Sequence, residues 1–308
     1  MKISNRSFSR GDDSSHWLVL GSSGFIGHAV FAILKARDCR IFGAGRSAPL
    51  PDAAAGKSWH AIDIFDSDNF RALLRKLQPS ILLNAIGHSP TAASSELKVF
   101  YIQSAEIILE AVKAEQPACR VVLLGSAAEY GNSPEAGSSE TDAPRPLSDY
   151  GRAKCEQFEI SRRFAAKGLD VITARLFNPV GPSQSSHFFA GALLERIRQG
   201  EHSPRVYSAN HVRDWIDVRD VARALVTLAE SPKPPAVANV CTGKGRTVEF
   251  VASLIGRLTG AEIKAEPGEI SPNVLWRSIG NPERMFNLGW QPQHNLAESL
   301  ADQWRLLL

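Results

Sequence analysis

A glycine-rich turn between an apolar run and an apolar helical pattern constrains the fold of this chain more than any other feature. In the stretch LVLGSSGFIGHAV the glycines follow the apolar run at three-residue intervals. They are Gly21, Gly24 and Gly27, and the helical pattern begins at Phe25 and Ile26. At a strand-to-helix junction, such glycines allow a tight turn, close approach of a pyrophosphate and tight helix packing. The turn therefore predicts a dinucleotide site, the alternative being a glycine turn without a chemical role.

Strand-like and helical segments alternate along most of the remaining chain. The strand-like runs are apolar throughout, which is typical of strands covered on both faces. They read WLVLG, CRIFGAG, WHAIDI, SILLNAIG, CRVVLLGS, LDVITARLF and VANVCTG. Helical periodicity lies between them, as at 66–77, 92–115 and 149–167. This order predicts an α/β fold of the Rossmann type, with a doubly wound parallel sheet and helices on both of its faces.

The alternation breaks after about residue 181, where Pro, Gly, Ser and His residues cluster. We predict a dinucleotide-binding domain of residues 17–180 plus 212–242, with the second of these segments returning to the sheet. Residues 181–211 plus 243–308 are predicted to form a smaller α/β substrate-binding lobe. Residues 1–16 are polar, which favours a flexible tail and argues against a signal peptide.

Charge and cysteine content exclude several classes of protein. The 308 residues have a formal net charge of +3, with no basic run that would follow a phosphate backbone or a membrane surface. Neither nucleic acid nor a membrane is therefore an expected partner, and no stretch has the roughly 18 apolar residues of a membrane span. The four cysteines are widely spaced, which predicts no metal site and reduced thiols in a cytoplasmic protein.

The end of the second strand-like run bears on the choice of dinucleotide. Enzymes that prefer NAD usually carry an acidic residue there, which takes the ribose hydroxyls. Here Gly45 stands at that position and Arg46 follows, leaving room for a 2′-phosphate and a guanidinium to pair with it. NADP(H) is therefore the predicted cofactor, and NAD(H) is the alternative if Arg46 is merely a solvated loop residue.

Tyr150 and Lys154 are four residues apart in a helical segment, so they share one face of the helix. A nearby ammonium stabilises a phenolate, and the spacing thus predicts a tyrosine of lowered pKa that acts as an acid or base. Such a pair also arises by chance in a chain of this composition. Ser126 ends the fifth strand-like run, at the sheet edge where ligands bind, and its hydroxyl is placed to bond the same substrate oxygen.

Further motifs follow in a fixed order along the chain: GSSGFIG, AIDIFD, LLNAIG, GSAAEYG, YGRAK, RLFNPVGP, VRDWIDVRDVARAL and NVCTGKG. With them the chain, from Trp17 to Trp304, resembles an extended short-chain dehydrogenase/reductase of the NAD-dependent epimerase/dehydratase family. FNPVGPSQSSHFF, RDWIDVRDV and NVCTGKG are most similar to the branch that reduces nucleotide-linked 4-keto-6-deoxyhexoses, such as GDP-6-deoxy-4-keto-mannose. The resemblance implies NAD(P)-dependent hydride transfer at a carbinol or ketone carbon.

The resemblance also implies a role for each matching residue. Tyr150 would be the general acid–base, Lys154 would bind the nicotinamide ribose and tune the tyrosine, and Ser126 would hold the reacting oxygen. The implied cofactor-binding residues are Gly21, Gly24, Phe25, Ile26, Gly27, Arg46, Asp63, Ile64, Ala85, Ile86, Gly87, Tyr150, Lys154 and Pro179. The implied substrate-binding residues are Ser89, Ser126, Asn178 and Arg213, the last two at positions that contact a diphosphate.

Two of these implications concern partners. Arg213 would contact the diphosphate of a nucleotide sugar, unless it forms an ion pair with Asp214 or Asp217 instead. Family members commonly pair through two helices, here near 92–115 and 149–167, which implies a homodimer.

Ala127 and Ala128 stand where dehydratases of the family carry acidic residues. Glu129 follows one position late on a strand-like segment, where it would face the other way. Sugar dehydration is therefore disfavoured.

Two other departures from the family pattern are a missing asparagine on a helix and a missing arginine in the diphosphate clamp. Gln103 and Ser104 stand where the helix at 92–115 usually offers an asparagine. Ser271 stands where the family has an arginine of its diphosphate clamp, and the nearby Arg277 is in a different register. Either the clamp is rebuilt or the substrate is not a nucleotide sugar.

The leading interpretation is an NADP(H)-dependent reductase of a nucleotide-activated 4-keto-6-deoxyhexose. The alternatives are a nucleotide-sugar epimerase that retains its cofactor, a reductase of a non-nucleotide carbonyl, and a cofactor-binding regulatory protein. The intact set of Ser126, Tyr150 and Lys154 argues against the regulatory protein.

Overall fold

The computed structural model describes residues 15–37, 39–46, 58–87 and 92–308. The strands are β1 (His16–Leu20), β2 (Arg40–Gly45), β3 (Trp59–Ala61), β4 (Ile81–Asn84), β5 (Arg120–Ser126), β6 (Val171–Leu176), β7 (Asn178–Val180), β8 (Arg205–Val206), β9 (Val212–Asp217), β10 (Val237–Val240), β11 (Gly245–Thr247), β12 (Lys264–Ala265) and β13 (Arg277–Ser278). The helices are α1 (Phe25–Ala36), α2 (Ser67–Leu77), α3 (Ser94–Leu97), α4 (Ser104–Glu115), α5 (Asp149–Ala166), α6 (Phe189–Arg198), α7 (Val218–Glu230), α8 (Val248–Thr259), α9 (Glu283–Asn287) and α10 (Leu296–Leu307). A π-helical stretch, Lys98–Gln103, joins α3 to α4, and a 3-10 turn, Ala127–Glu129, follows β5.

Seven parallel strands form the main sheet, in the order β10-β6-β5-β4-β1-β2-β3. All seven strand-like runs of the sequence are strands of this sheet, which confirms the predicted doubly wound Rossmann fold. The strand order reverses direction between β1 and β4. In such sheets a ligand binds outside the carboxyl ends of the strands at this reversal.

Helices cover both faces of the main sheet. On one face α1 and α7 bury side chains such as Leu34 and Leu225, both inaccessible to solvent. On the other face α2, α4 and α5 do the same through Leu74, Ile108 and Ile160. Burial on both faces explains why the central strands are predominantly apolar.

The second lobe contains its own sheet, in which β9 pairs with β7, β11 and β13. Its core includes Leu194 of α6, Val251 of α8 and Leu300 of α10. The prediction that residues 212–242 return to the main sheet is thus confirmed for β10 and wrong for β9. β10 reads VANV and is fully buried, whereas β9 carries charged and half-exposed residues that a strand covered on both faces does not accept. The proposed domain limits stay a prediction.

The three helical patterns singled out in the sequence are confirmed, with one unforeseen feature. Residues 66–77 correspond to α2 and 149–167 to α5, whereas 92–115 is α3 and α4 interrupted by the π-helical stretch. Among the described helices, none combines the length and apolarity needed to cross a bilayer. The homodimer stays a prediction.

The turn after β1 depends on its glycines. Gly21 has a φ of 72°, and a Cβ at this position would lie 2.8 Å from the carbonyl oxygen of Ala85. A Cβ at Gly27 would overlap the carbonyl oxygen of Gly21, so α1 packs directly on the turn. Gly24 precedes the first residue of α1, and in the described part of the chain no side chain caps this helix end. Its first N–H groups therefore point outward, toward a site for an anion.

Gly27→Ala tests this arrangement. The methyl group would push α1 away from the turn, so we expect a loss of about 1–3 kcal/mol in the free energy of unfolding and weaker NADPH binding. Gly45→Ala is the matched control for the free energy of unfolding, because a Cβ at Gly45 would meet nothing within 4 Å. Denaturant titration compares the stability of the two variants, and fluorescence titration measures cofactor binding by Gly27→Ala against the wild type. Equal free energies of unfolding for Gly27→Ala and Gly45→Ala would contradict the close packing.

Candidate active site

A cavity of about 220 Å³ opens at the carboxyl ends of β1, β2 and β4. Eight of the predicted cofactor-binding residues line it: Gly21, Gly24, Arg46, Asp63, Ile64, Ala85, Ile86 and Gly87. Phe25, Ile26 and Gly27 form the first turn of α1 beside it, while Tyr150 and Lys154 lie on α5 and Pro179 on β7, outside its lining. The predicted substrate residue Ser89 lies outside the described residues.

Arg46 adds a cation to the lining of this cavity. Arg46 is exposed at the end of β2, and its guanidinium lies 5.6 Å from the ring centroid of Phe100. Open space surrounds the preceding Gly45. Asp63, which lines the same cavity, accepts a hydrogen bond from the backbone N–H of Phe65 at 3.1 Å. The glycine turn and the cavity therefore fit a dinucleotide, and Arg46 is a cation at its edge.

Close packing of α5 on the turn after β5 brings the predicted catalytic residues together. A Cβ at Gly151 would lie 2.5 Å from the carbonyl oxygen of Ala128, so only glycine allows this approach. The Ser126 side chain accepts a hydrogen bond from the N–H of Ala128 at 3.2 Å. The side chain of Tyr150, the residue before the glycine, lies close enough to Ser126 for the hydroxyl to lower the pKa of the phenol.

The ammonium of Lys154 is buried among neutral groups. Its Nζ donates to the carbonyl oxygen of Leu124 at 2.7 Å and to Oε1 of Gln157 at 2.9 Å. The same atom lies 3.9 Å from the ring centroid of Tyr101 and 5.9 Å from that of Tyr150. Burial lowers the pKa of Lys154 from 10.5 to about 7, although the nearby carboxylate of Glu129 raises it.

The pKa of Tyr150 lies above the usual value of 10, so the prediction of a lowered pKa is wrong for the structure described here. Burial is the largest cause, and Tyr101 and Glu129 act in the same direction, whereas the Ser126 hydroxyl opposes them. Lys154 approaches the ring of Tyr150 but bonds to other acceptors. A protonated phenol is the form that can donate a proton to a ketone oxygen.

Glu129 lies on the 3-10 turn and not on a strand, which corrects the sequence-based argument about its direction. Its carboxylate accepts hydrogen bonds from the guanidinium of Arg175 at 2.7 Å and from the N–H of Ser126 at 2.8 Å. Burial raises the pKa of Glu129, and the ion pair with Arg175 lowers it. Because both oxygens have partners, this carboxylate is a support for the turn and is not placed as a dehydratase base.

Tyr101 is the residue of this site that the sequence analysis misses. Of the two polar residues singled out on the same helix, Gln103 is exposed and Ser104 donates its hydroxyl to the carbonyl oxygen of Phe100. Tyr101, only 4% exposed, lies against both Lys154 and Tyr150. No polar pattern in the sequence marks Tyr101 as a site residue. The periodicity of residues 92–115 predicts a continuous α-helix, and it gives no sign of the π-helical stretch that contains Tyr101.

The two residues predicted to contact a diphosphate lie on the second sheet. Asn178 donates its side-chain amide to the carbonyl oxygen of Asp214 at 3.2 Å. The half-buried Arg213 donates to the carbonyl oxygens of Val212 at 2.9 Å and Leu275 at 2.7 Å. Burial lowers the pKa of Arg213 to about 10.

Neither aspartate proposed as an alternative partner pairs with Arg213. The carboxylate of Asp214 accepts bonds from Thr242 and Gly243, and Asp217 pairs with Arg219. Within the described ranges Arg213 forms no ion pair.

Two arginines of the second sheet, Arg277 and Arg246, are candidates to replace the family arginine that is absent at Ser271. The Ser271 hydroxyl is buried and has no partner among the described residues. Arg277 pairs in register with Val212, and its guanidinium lies 4.0 Å from Glu135. Arg246 of β11, by contrast, stands directly across from Arg213 in the antiparallel ladder, where paired side chains share a face.

Metal ligands are not assembled in this part of the molecule. Among the residues that the structure describes, no three His, Cys, Asp or Glu side chains lie together as a metal site.

The doubly wound sheet, glycine turn and Ser–Tyr–Lys set define an extended short-chain dehydrogenase/reductase, a class of NAD(P)-dependent enzymes. The chain belongs to the NAD dependent epimerase/dehydratase family, whose model matches residues 17–241.

Several characterised proteins are similar over almost the whole chain. The dTDP-6-deoxy-L-talose 4-dehydrogenase (NAD(P)(+)) of Kitasatospora kifunensis is 28% identical, with 93% of each chain covered. The GDP-6-deoxy-D-mannose reductase of Pseudomonas aeruginosa is 26% identical, with 92% of this chain and 93% of that protein covered. The solved structure of MoeE5 with UDP-glucuronic acid and NAD has a TM-score of 0.83 at 26% identity, covering 95% of this chain and 98% of MoeE5.

Lys154→Met tests the cost of burying the ammonium. The pKa of Lys154 is about 7 in the folded protein and 10.5 in the unfolded chain. Between these pH values the unfolded chain binds more protons than the folded protein, so the free energy of unfolding of the wild type rises with pH. The variant lacks this rise. The difference in unfolding free energy, wild type minus variant, should therefore increase by up to about 1.4 kcal/mol per pH unit.

Urea denaturation at intervals from about pH 7 to about pH 10 measures this difference. Lys167→Met, at the exposed end of the same helix, is the control and should show no such slope. A difference that stays constant for Lys154→Met would contradict the effect of burial.

Proposed function

We propose that this chain is an NADP(H)-dependent reductase that converts the 4-keto group of a nucleotide-activated 6-deoxyhexose to a hydroxyl group. The observation that supports a nucleotide substrate is Arg213, a half-buried cation whose hydrogen-bond acceptors are two neutral carbonyl oxygens. A buried charge is stable when it is paired, and a diphosphate supplies the opposite charge. The two curated relatives described above are named for 6-deoxyhexose nucleotides, which supports the sugar class.

The catalytic step needs a proton and a hydride. Tyr150 is protonated at neutral pH and donates its phenolic proton to the carbonyl oxygen as that oxygen gains charge. Ser126 holds the same oxygen through its hydroxyl. NADPH held at this site would supply the hydride that reduces the ketone carbon to an alcohol carbon. Lys154 would hold the nicotinamide ribose by exchanging one of its present acceptors, Leu124 or Gln157, for a ribose hydroxyl. Solvent returns the proton to Tyr150.

The direct test is NADPH oxidation by the purified protein with a panel of dTDP-, GDP-, UDP- and CDP-linked 4-keto-6-deoxyhexoses. We expect turnover with at least one sugar, and a loss of about 100-fold or more in Tyr150→Phe, which keeps the ring and removes the proton donor. Epimerisation of a nucleotide sugar without net NADPH oxidation would replace the reductase with the epimerase.

Cofactor preference depends on Arg46. Arg46→Ala should raise the KM for NADPH about tenfold and leave the KM for NADH unchanged, because only NADPH carries the 2′-phosphate. Arg40→Ala is the matched control, since Arg40 begins the strand that ends just before Arg46. Its guanidinium also lies against an aromatic ring, 5.6 Å from the centroid of Phe42, but Arg40 is outside the cavity lining. Initial rates measured with NADPH and with NADH give the KM values for each protein and show which cofactor the wild type prefers. A wild type that favours NADH would contradict the proposed preference.

Substrate binding depends on Arg213, and the clamp is completed by Arg246. Arg213→Ala should raise the KM for the nucleotide sugar about ten- to a hundredfold and leave NADPH affinity unchanged. Arg246→Ala should raise the same KM to a smaller degree, because Arg246 is exposed. Arg257→Ala, an exposed arginine of α8, is the control.

A thermal-shift experiment separates this proposal from a non-nucleotide substrate. Any ligand that prefers the native state stabilises it. Nucleoside diphosphates at millimolar concentration should raise the Tm of the wild type and not that of Arg213→Ala. No shift of the wild type with UDP, GDP, dTDP or CDP would leave only NADP(H)-dependent reduction of another carbonyl.

A further inference from the structure

The ammonium of Lys154 faces the ring of Tyr101, a residue with no part in the mechanism above. Nζ lies 3.9 Å from the ring centroid, and both side chains are only 4% exposed. The other two directions around Nζ are taken by the carbonyl oxygen of Leu124 and by Gln157. An aromatic face attracts a cation most strongly when water is excluded from both groups. The ring is therefore a third ligand of the charged lysine.

The same ring also contacts the catalytic tyrosine. The ring centroids of Tyr101 and Tyr150 are 5.4 Å apart, with an interplanar angle of 74°, which is the favoured edge-to-face arrangement. One side chain thus contacts the proton donor and its neighbouring cation. Leu97 and Ala153 complete the apolar cluster around it.

The π-helical stretch explains how the ring reaches this position. Tyr101 lies within Lys98–Gln103, where the wider turn differs from the α-helix on either side. A Cβ at Gly87, at the end of β4, would lie 3.7 Å from the Tyr101 hydroxyl, so the side chain extends to the cofactor edge of the sheet. Isolated π-helical turns occur frequently at functional sites.

We propose that Tyr101 is a positioning residue for the catalytic pair, because its ring face stabilises the ammonium of Lys154 and its contact with Tyr150 fixes the direction of the proton donor. This inference rests on the proposed catalytic role of the pair. It assigns a function to a residue that does not itself touch the reacting carbonyl.

Several groups facing the pair influence the charge of Lys154. The carboxylate of Glu129, on the 3-10 turn and paired with Arg175 of β6, favours the ammonium, whereas burial disfavours it. Tyr150 on the same helix and Tyr101 on the π-helical stretch supply the neighbouring rings. An aliphatic residue at position 101 keeps the burial and the carboxylate but removes the attraction of the ring. The pKa of Lys154 then falls below its value of about 7.

The first test needs no substrate, so its failure is distinct from failure of the proposed function. Lysine carbons are labelled with ¹³C in the full-length protein, Lys154 is assigned by its loss in Lys154→Met, and its pKa is titrated by NMR. Tyr101→Phe keeps the ring face and should titrate within about 0.3 pH unit of the wild type, whereas Tyr101→Leu should titrate about one unit lower. An unchanged pKa in Tyr101→Leu would overturn the proposal.

Two further variants separate positioning from packing. Incorporation of trifluorophenylalanine at position 101 keeps the shape of the ring and weakens its attraction for a cation, so the pKa of Lys154 should fall as in Tyr101→Leu even if that variant folds poorly. Leu97→Ala disturbs the same cluster without touching the ammonium. It should lower the Tm and leave the pKa of Lys154 unchanged. An equal fall in pKa for Leu97→Ala would show that packing alone is responsible.

Kinetics then connect the geometry to activity. In Tyr101→Leu, kcat with the accepted nucleotide sugar should fall about tenfold, and the alkaline limb of kcat/KM against pH should move to lower pH. Tyr101→Phe should restore both quantities to within about threefold of the wild type. A fall in kcat without movement of the limb would contradict a role through Lys154.

Discussion

The buried ion pair between Glu129 and Arg175 holds the active-site end of the sheet together. The carboxylate receives the guanidinium at 2.7 Å and the N–H of Ser126 at 2.8 Å. Arg175 continues to the hydroxyl of Tyr130, which in turn donates to Asn239 of β10. The two paired side chains are 1% and 0% exposed, so loss of either partner would leave an unpaired charge at a cost of about 3–5 kcal/mol. Three strands and the catalytic turn therefore keep one geometry.

Within the described ranges, the buried Lys154 and the half-buried Arg213 form no ion pair with a carboxylate, and each lies where the proposed reaction needs a positive charge. Lys154 bonds to a carbonyl, an amide and an aromatic face, and Arg213 bonds to two carbonyls. Burial lowers both pKa values. Both buried cations cost stability in the free protein, and Arg213 recovers part of that cost when a substrate diphosphate supplies the opposite charge.

Local sequence signals predict the main sheet and the glycine turn because each depends on neighbouring residues. An unbroken apolar run such as WLVL is typical of a strand covered on both faces, and the three-residue spacing of Gly27 from Gly24 is typical of a tight strand-to-helix turn. Three other features depend on burial and on residues distant in the chain. They are the strands that pair with β9, the raised pKa of Tyr150, and the contact of Tyr101 with Lys154. None of these has a local pattern. The π-helical stretch is equally hidden, since its sequence has ordinary helical periodicity.

The π-helical stretch also couples two properties that are usually treated separately. Phe100 lies beneath the guanidinium of Arg46 in the cofactor cavity, and the next residue, Tyr101, lies beneath the ammonium of Lys154. Any shift of this single turn moves both rings together. Substitutions at position 46 should therefore be epistatic with substitutions at position 154, although the two side chains belong to different secondary-structure elements. A change in the cavity lining at Arg46 would have to preserve the turn or rebuild the packing around Lys154 at the same time.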